Sequence, residues 1–319
     1  MFISAETLDD ALLKLYPALL ARSHETMTIK ASRGETAEVI GALIEIRNPR
    51  ARLSRSETRG KLYSSLGELL WYLSKDNRLD FIAPYVPRYS DESEDGVTIY
   101  GGYGPRLFGP NGEGQVKRVI GLLTERPTSR RAVIQIFDKE DIANNHKEVP
   151  CTTTLQCFVR DEKLDMVVTM RSNDAYFGLP HDVFCFTMLQ EIIARSLCRD
   201  VGCYRHFAGS MHIYKERWDD AQHFVDEGYQ QRIAMPEMPV ADPWPSISTV
   251  LDAERRIRDG DQLEASSLGL HDYWSDLIRI LQIFFAKGDQ SKITTLAEQI
   301  SFRRYRPYIL GRIRSGGEA

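Results

Sequence analysis

The stretch RSNDAYFGLPHDVF, residues 171–184, decides how the chain around it is interpreted. It is preceded by KLDMVVTMR (163–171), whose apolar positions are typical of a β-strand. It leads into HDVFCFTMLQEIIARSLC (181–198), which has the apolar spacing of a long helix and starts just after Pro180. The stretch therefore predicts a strand, a tight connection and a helix. Asp182 is expected at the helix start, where a carboxylate suits both the N-cap and the helix dipole.

The segments on either side mix strands and helices. Strands are predicted at 41–49, 130–137, 153–160 and 208–214, with a hairpin turn at 161–163. Helices are predicted at 6–22, 61–74, 116–125 and through most of 264–315, and loops at 88–112. Because the two kinds of element do not alternate regularly, the pattern favours an α+β fold.

A proline-rich segment divides the chain. MPEMPVADPWP (235–245) contains four prolines and is typical of a linker or an extended crossing segment. We therefore expect a catalytic domain over 1–234 and a mostly helical extension over 235–319 that packs on it.

Bulk properties exclude several classes of protein. A net charge of −4 over 319 residues argues against a general nucleic-acid-binding surface. Five cysteines are an odd number, and their spacing matches no zinc pattern, so no metal site is predicted. The sequence shows no signal peptide and no apolar run long enough to cross a bilayer. We expect a cytoplasmic protein with reduced thiols.

Several side chains have the chemistry of a catalytic site, although each also has a structural interpretation. Cys151 follows Pro150 at the start of a predicted strand. It is interpreted either as a nucleophile or as a buried core cysteine. Glu68 lies in an apolar helix. It is interpreted either as a general acid/base with a raised pKa or as a capped structural carboxylate. Arg130 and Arg131 are adjacent on a predicted strand and so point to opposite faces, which indicates phosphate recognition or a solvated charge pair.

Two further pairs suit a phosphorylated sugar. Arg171 and Ser172 are typical partners of an anion at the end of a strand. His212 and Tyr214 lie two residues apart and share one face of a strand, where they form a hydrogen-bonding surface or a half-buried strand face.

The order and spacing of these pieces resemble the thymidylate synthase superfamily over about residues 28–216. The matching residues are Arg33, Glu68, Tyr103, Arg130-Arg131, Pro150-Cys151, Arg171-Ser172-x-Asp174, Gly178-Leu179-Pro180 and His212-x-Tyr214. The resemblance implies the thymidylate synthase-like fold, with a large mixed sheet flanked by helices, and 5,10-methylenetetrahydrofolate as the one-carbon donor.

The resemblance also implies a role for each residue. Cys151 would add to C6 of a pyrimidine, and Glu68 would organise water and move protons near the base, with Tyr103 nearby in the catalytic site. Binding roles are implied for the phosphate ligands Arg33, Arg171 and Ser172, for Arg130 and Arg131 donated by the second subunit of a homodimer, for the sugar ligands His212 and Tyr214, and for the folate contacts Asp174 and Gly178.

Departures from the family pattern indicate the specificity. Synthases have asparagine where this chain has Asp182, and the cytidylate hydroxymethylases of the family have aspartate there. A carboxylate accepts from the amino group of cytosine, and a protonated one also donates to N3. Thr152 replaces the usual histidine, and Ser210 replaces the usual aspartate. The short C-terminal tail that closes the synthase site is absent, which favours water over hydride as the last reactant.

These departures predict a cytidylate 5-hydroxymethylase that acts on CMP or dCMP. CMP is favoured because the long C-terminal extension differs from the compact phage type. The alternatives are reductive C5 methylation of dUMP or dCMP, and a non-catalytic paralogue that binds nucleotide or RNA.

Overall fold

The structure is a computed structural model that describes residues 1–21, 26–31, 34–54, 62–109 and 113–314. Arg33, a predicted phosphate ligand, lies outside these described residues. The chain divides into two compact units, Met1–Arg232 and Ile233–Ala319.

A mixed sheet forms the centre of the first unit. Its strands among the described residues are β1 (Phe2–Ala5), β2 (Met27–Ala31), β3 (Gly34–Ile46), β4 (Val133–Gln135), β5 (Thr152–Arg160), β6 (Lys163–Asp174) and β7 (Asp200–Tyr214). They are ordered β1-β3-β7-β6-β5-β4, and β2 pairs with β3. β1 with β3 and β6 with β7 are parallel, and the other pairs are antiparallel. This mixed sheet confirms the α+β prediction.

Helices flank this sheet. In the first unit they are α1 (Leu8–Leu20), α2 (Leu62–Leu73), α3 (Leu79–Ile82), α4 (Tyr89–Glu92), α5 (Tyr103–Phe108), α6 (Gln115–Glu125), α7 (Gly178–Ser196) and α8 (Trp218–Glu227). Most side chains of α7 are buried, because the helix packs on β6, β7 and α2. A helix buried on most of its sides needs an apolar sequence nearly all round, which α7 has.

Two connections bring the functional strands together. The β5–β6 hairpin turns at Asp161 and Glu162, which both have positive φ, as a tight hairpin turn requires. From β6 the chain crosses through α7 to β7, which lies parallel to β6. The resulting register sets Ser172 opposite Ser210 and Asp174 opposite His212.

Several boundaries differ from the sequence prediction. β4 is shorter than predicted, since only Val133–Gln135 pair with β5, so Arg130 and Arg131 precede the strand rather than alternate along it. β7 starts at Asp200 because β3 and β6 hold it on both sides. The prediction that Asp182 lies at the helix start is wrong, since α7 begins at Gly178 and Asp182 is its fifth residue.

The second unit is helical. It contains α9 (Trp244–Arg258), α10 (Asp272–Phe285), α11 (Gln290–Glu298) and α12 (Arg306–Arg314). Asp276 on the buried α10 accepts the backbone amides of Ser301 and Phe302 at 3.0 and 2.8 Å and ion-pairs with Arg279. That carboxylate fixes the turn between α11 and α12.

Candidate active site

Hydrogen bonds from Arg171 hold the backbone around Cys151 in place. Cys151 is half-buried and directly precedes β5. The backbone amide of Arg171 donates to the Cys151 carbonyl at 2.8 Å. The Arg171 guanidinium donates to the carbonyls of Pro150 and Val149 at 3.0 and 2.9 Å. Arg171, predicted as a phosphate ligand, therefore also positions the segment that carries the thiol.

Tyr103 lies between the thiol and Asp182. Its hydroxyl accepts the backbone amide of Thr152 at 3.2 Å. Burial, followed by the negative charges of Cys151 and Asp182, raises the pKa of Tyr103 well above its usual range. The phenol therefore stays protonated and can donate a hydrogen bond into the site.

Glu68 lies on α2 and is only 8% exposed. Its carboxylate accepts from the hydroxyls of Tyr72 and Tyr89 at 3.1 and 2.8 Å. Burial, and next the charge of Glu68, raises the pKa of both phenols, so both remain donors. The two phenols hold one oxygen of this carboxylate in place, which suits a group that orders water or moves protons.

Asp182 points from α7 toward the same region. Its Oδ2 accepts from the side-chain amide of Asn173 at 2.7 Å. Burial is the main cause that raises the pKa of Asp182 well above its usual range, and the charges of Glu68 and Asp174 add to it, while the Asn173 bond acts in the opposite direction. A carboxyl group in such surroundings retains its proton more readily than an exposed one, and can then donate as well as accept.

The predicted sugar-binding pair is brought together at the end of β7. The rings of His212 and Tyr214 lie 5.3 Å apart and nearly perpendicular. Glu38, on β3 opposite His212, is buried and accepts from the Ser210 hydroxyl. Burial lowers the pKa of His212, while the charges of Asp174 and Glu38 act in the opposite direction.

Other predicted residues are placed less centrally. Arg130 and Arg131 are exposed, and neither guanidinium has a hydrogen bond or ion pair among the described residues. The Asp174 carboxylate accepts the backbone amide of Tyr176 at 2.9 Å. At Gly178, an added Cβ would lie 2.9 Å from the amide nitrogen of Asn173, so packing against that side chain already requires a glycine.

Three residues of this region were not predicted as functional: Asn173, Glu38 and Glu148. Asn173 lies within the quoted 171–184 stretch, but nothing in the sequence shows that its amide meets Asp182. Glu38 lies before the strand predicted at 41–49 and gave no signal in the sequence. Glu148 lies three residues before Cys151, and burial, then the charge of Glu92, raises its pKa to about 7.

Comparisons with known proteins match the chain to one family. A family model described as thymidylate synthase matches residues 35–273. A deoxyuridylate hydroxymethyltransferase of Pseudomonas phage M6 is 32% identical over 195 residues, which cover 58% of this chain and 55% of that protein. A second of the same description, from Bacillus phage SP01, is 29% identical over 216 residues, 63% of this chain and 56% of that protein. A thymidylate synthase of Francisella philomiragia is 30% identical over 167 residues, 47% of this chain and 61% of that protein.

These matches cover only part of each protein. The chain spans little more than half the length of the curated relatives it matches. The family match continues to residue 273 and so includes part of the extension predicted over 235–319.

The described residues also bear on metal binding and on membrane insertion. Within that part of the chain, no group of three or more His, Cys, Asp or Glu side chains is arranged to hold a metal ion. No described helix is long and apolar enough to span a membrane.

Proposed function

The chain belongs to the thymidylate synthase family, and from this premise we propose that it transfers a hydroxymethyl group to C5 of a cytidine monophosphate. The observation that carries the proposal is Asp182, a carboxyl group with a raised pKa in a region shared with Glu68, Tyr103 and the Cys151 thiol. An uncharged carboxyl group offers one donor and one acceptor to the edge of a pyrimidine.

Cys151 is proposed as the nucleophile. Its thiolate forms a bond to C6, and the electrons of the C5–C6 double bond move to C5, which becomes nucleophilic. C5 would then bond to the one-carbon unit and lose its proton, and the bond from that carbon to the donor nitrogen would break so that the donor leaves. Water adds to the resulting exocyclic methylene, and expulsion of the thiolate restores the ring. Glu68, held by Tyr72 and Tyr89, is placed to activate that water.

5,10-Methylenetetrahydrofolate is the one-carbon donor of this family. When bound, it supplies the methylene at the oxidation level of formaldehyde. The chemistry of the donor set fits a pterin, because the half-buried carboxylate of Asp174 is an acceptor for amino and ring N–H groups. Gly178 is proposed to contact the folate through its backbone.

The phosphate is proposed to bind between two copies of the chain. Arg171 and Ser172 supply one side, together with Arg33. Arg130 and Arg131 of the second copy supply the other side, which accords with guanidinium groups that are exposed and without ion pairs among the described residues. Several guanidinium groups around one dianion fix its orientation, and with it the position of C6 over the thiol.

Glu38 supports a ribonucleotide over a deoxyribonucleotide. It is a buried carboxylate beside His212, one of the proposed sugar ligands, and it is held by Ser210. A carboxylate in this position can accept a hydrogen bond from an additional sugar hydroxyl. We therefore favour CMP over dCMP.

A second candidate is hydroxymethylation of dUMP. Three relatives carry the description deoxyuridylate hydroxymethyltransferase. A protonated Asp182 can also donate to O4 and accept from N3–H of uracil, so the carboxyl group alone does not exclude that base. Because a further relative is described as a thymidylate synthase, reductive methylation is retained as an alternative reaction.

Turnover with methylenetetrahydrofolate and each of CMP, dCMP and dUMP separates these candidates. We expect CMP to be consumed fastest, with tetrahydrofolate as the folate product. Turnover of dUMP alone would show that the argument from Asp182 is wrong, and dihydrofolate formation would indicate reductive methylation. The variant Asp182→Asn should change the kcat/KM ratio between CMP and dUMP toward uracil by about 10- to 100-fold, the effect of one directed hydrogen bond. An unchanged ratio would remove Asp182 from base recognition.

A further inference from the structure

We propose that Asn173, His206 and Tyr204 form a buried hydrogen-bond relay that positions Asp182 and determines which of its oxygens carries the proton presented to the base. The inference rests on the proposed function, because it gives these three residues a part in the choice of base. None of them is expected to touch the nucleotide, so they are positioning residues.

The relay is continuous from β7 through β6 to α7. The Tyr204 hydroxyl lies 2.9 Å from His206 Nδ1, and His206 Nε2 lies 3.0 Å from Asn173 Oδ1. Asn173 Nδ2 donates to Asp182 Oδ2 at 2.7 Å. Tyr204 and His206 are 0% exposed and Asn173 is 4% exposed. Three buried polar side chains in series thus end on the one residue proposed to read the base.

Burial fixes the direction of these hydrogen bonds. It lowers the pKa of His206 to about 3, so the imidazole is neutral and has a single N–H. Burial likewise raises the pKa of Tyr204 well above its usual range, so its hydroxyl keeps its proton. The only partner of that hydroxyl in the described part of the chain is His206. The hydroxyl therefore donates to Nδ1, which leaves the N–H on Nε2 to donate to Asn173.

This direction has a consequence for Asp182. Since Asn173 uses its oxygen to accept from His206, it can only donate to Asp182, and Oδ2 of Asp182 is an acceptor. Because a carbonyl oxygen accepts a hydrogen bond better than a carboxyl hydroxyl oxygen does, a proton on the carboxyl group lies preferentially on Oδ1. Gly178 supports the arrangement, because a side chain there would lie 2.9 Å from the Asn173 amide nitrogen and displace it.

The fixed proton matters because cytosine and uracil present opposite patterns. Cytosine has an amino donor and a bare N3 acceptor, whereas uracil has an O4 acceptor and an N3–H donor. A carboxyl group that carries its proton on either oxygen matches both bases equally well. A carboxyl group whose proton is held on Oδ1 matches one of the two bases better, and under the proposed function that base is cytosine. The relay thereby allows Asp182 to discriminate between the bases.

The relay also predicts a pH dependence of nucleotide binding. The ionisable groups that act on Asp182 from the surrounding elements are Glu68, Asp174, Tyr103, Cys185 and Tyr204. Asn173 is the one group among the causes of the Asp182 shift that favours the carboxylate form. Loss of its amide must therefore raise the pH at which Asp182 loses its proton.

The test is isothermal titration calorimetry of CMP and dUMP without folate, over a series of pH values, on the full chain. The variant Asn173→Leu removes the donor and keeps a similar volume. We expect the ratio of the CMP and dUMP dissociation constants to change by about tenfold, the effect of one buried hydrogen bond. The midpoint of the pH dependence of CMP affinity should move to higher pH.

Two further variants separate positioning from folding. Tyr204→Phe removes only the first donor of the relay and should change the same ratio in the same direction by a smaller factor, even where Asn173→Leu fails to fold. Tyr16→Phe removes a different buried hydroxyl, which donates to the Ala175 carbonyl at 3.3 Å, and should leave the ratio unchanged.

The outcomes distinguish the relay from the proposed function. An unchanged nucleotide ratio and pH midpoint in folded Asn173→Leu and Tyr204→Phe would overturn the relay and leave the proposed function standing. Failure of the wild-type protein to bind either nucleotide would overturn both.

Discussion

Glu148 provides a test whose magnitude follows from the structure. Its carboxyl group packs against the bare backbone of Gly101. Burial, then the charge of Glu92, raises its pKa from 4.5 to about 7, against the opposing influence of Gly101, Arg106 and Arg171. A rise of this size corresponds to a contribution of ~3 kcal/mol to the free energy of unfolding, which is present only while Glu148 is protonated.

The direction follows from which state holds the proton more tightly. The folded protein keeps the Glu148 proton up to about pH 7, whereas the unfolded chain releases it near 4.5. The contribution to stability is therefore fully present below pH 4.5 and is lost as the pH rises through 7. Glu148→Gln keeps the shape and removes the charge, so it should raise the free energy of unfolding by up to ~3 kcal/mol at pH 8 and by little near pH 5.

Denaturant unfolding of the wild type and Glu148→Gln at pH 5 and pH 8 measures this difference. Glu140→Gln, an exposed glutamate between β4 and β5, is the matched control and should show no such dependence. Glu92→Gln removes the neighbouring charge and should reproduce part of the effect, because the pKa of Glu148 then falls. An equal difference between wild type and Glu148→Gln at both pH values would refute the reasoning.

Three further predictions concern the chemistry. Cys151→Ala should abolish exchange of the C5 hydrogen of CMP with solvent while nucleotide binding persists; exchange in that variant would exclude the thiol as the nucleophile. Glu68→Gln should lower kcat by about 10²- to 10⁴-fold with a smaller change in KM, and a change in KM alone would indicate a binding role. Mixing inactive Arg131→Ala with inactive Cys151→Ala should restore activity, since a mixed dimer contains one intact site; no recovery would contradict a site shared between subunits.

Much of the fold could be predicted because its elements have strong local signals. The β5–β6 hairpin and the long helix after Pro180 have the apolar periodicity of their type, and the helix is buried almost all round. The ends of strands could not be predicted where pairing with a neighbouring strand determines them. β4 begins only at Val133, which pairs with Gln156 of β5, so Arg130 and Arg131 precede the strand.

The site could be predicted through an ordered motif, but its supporting contacts could not. Asn173 pairs in register with Met211, and His206 pairs with Val168, so strand periodicity gives no indication that their side chains meet. The raised pKa of Glu148 depends on its burial and on Glu92, which is distant in the chain. Such contacts arise from tertiary packing, which a single sequence does not encode locally.

The central claim is that Cys151 activates a cytidine monophosphate for hydroxymethyl transfer. The most direct test is mass spectrometry of the nucleotide after incubation of the protein with CMP and methylenetetrahydrofolate. The account predicts a product heavier than CMP by one CH2O unit, absent with Cys151→Ala. A product heavier by one CH2 unit, or a CMP that stays unmodified while dUMP is consumed, would contradict it.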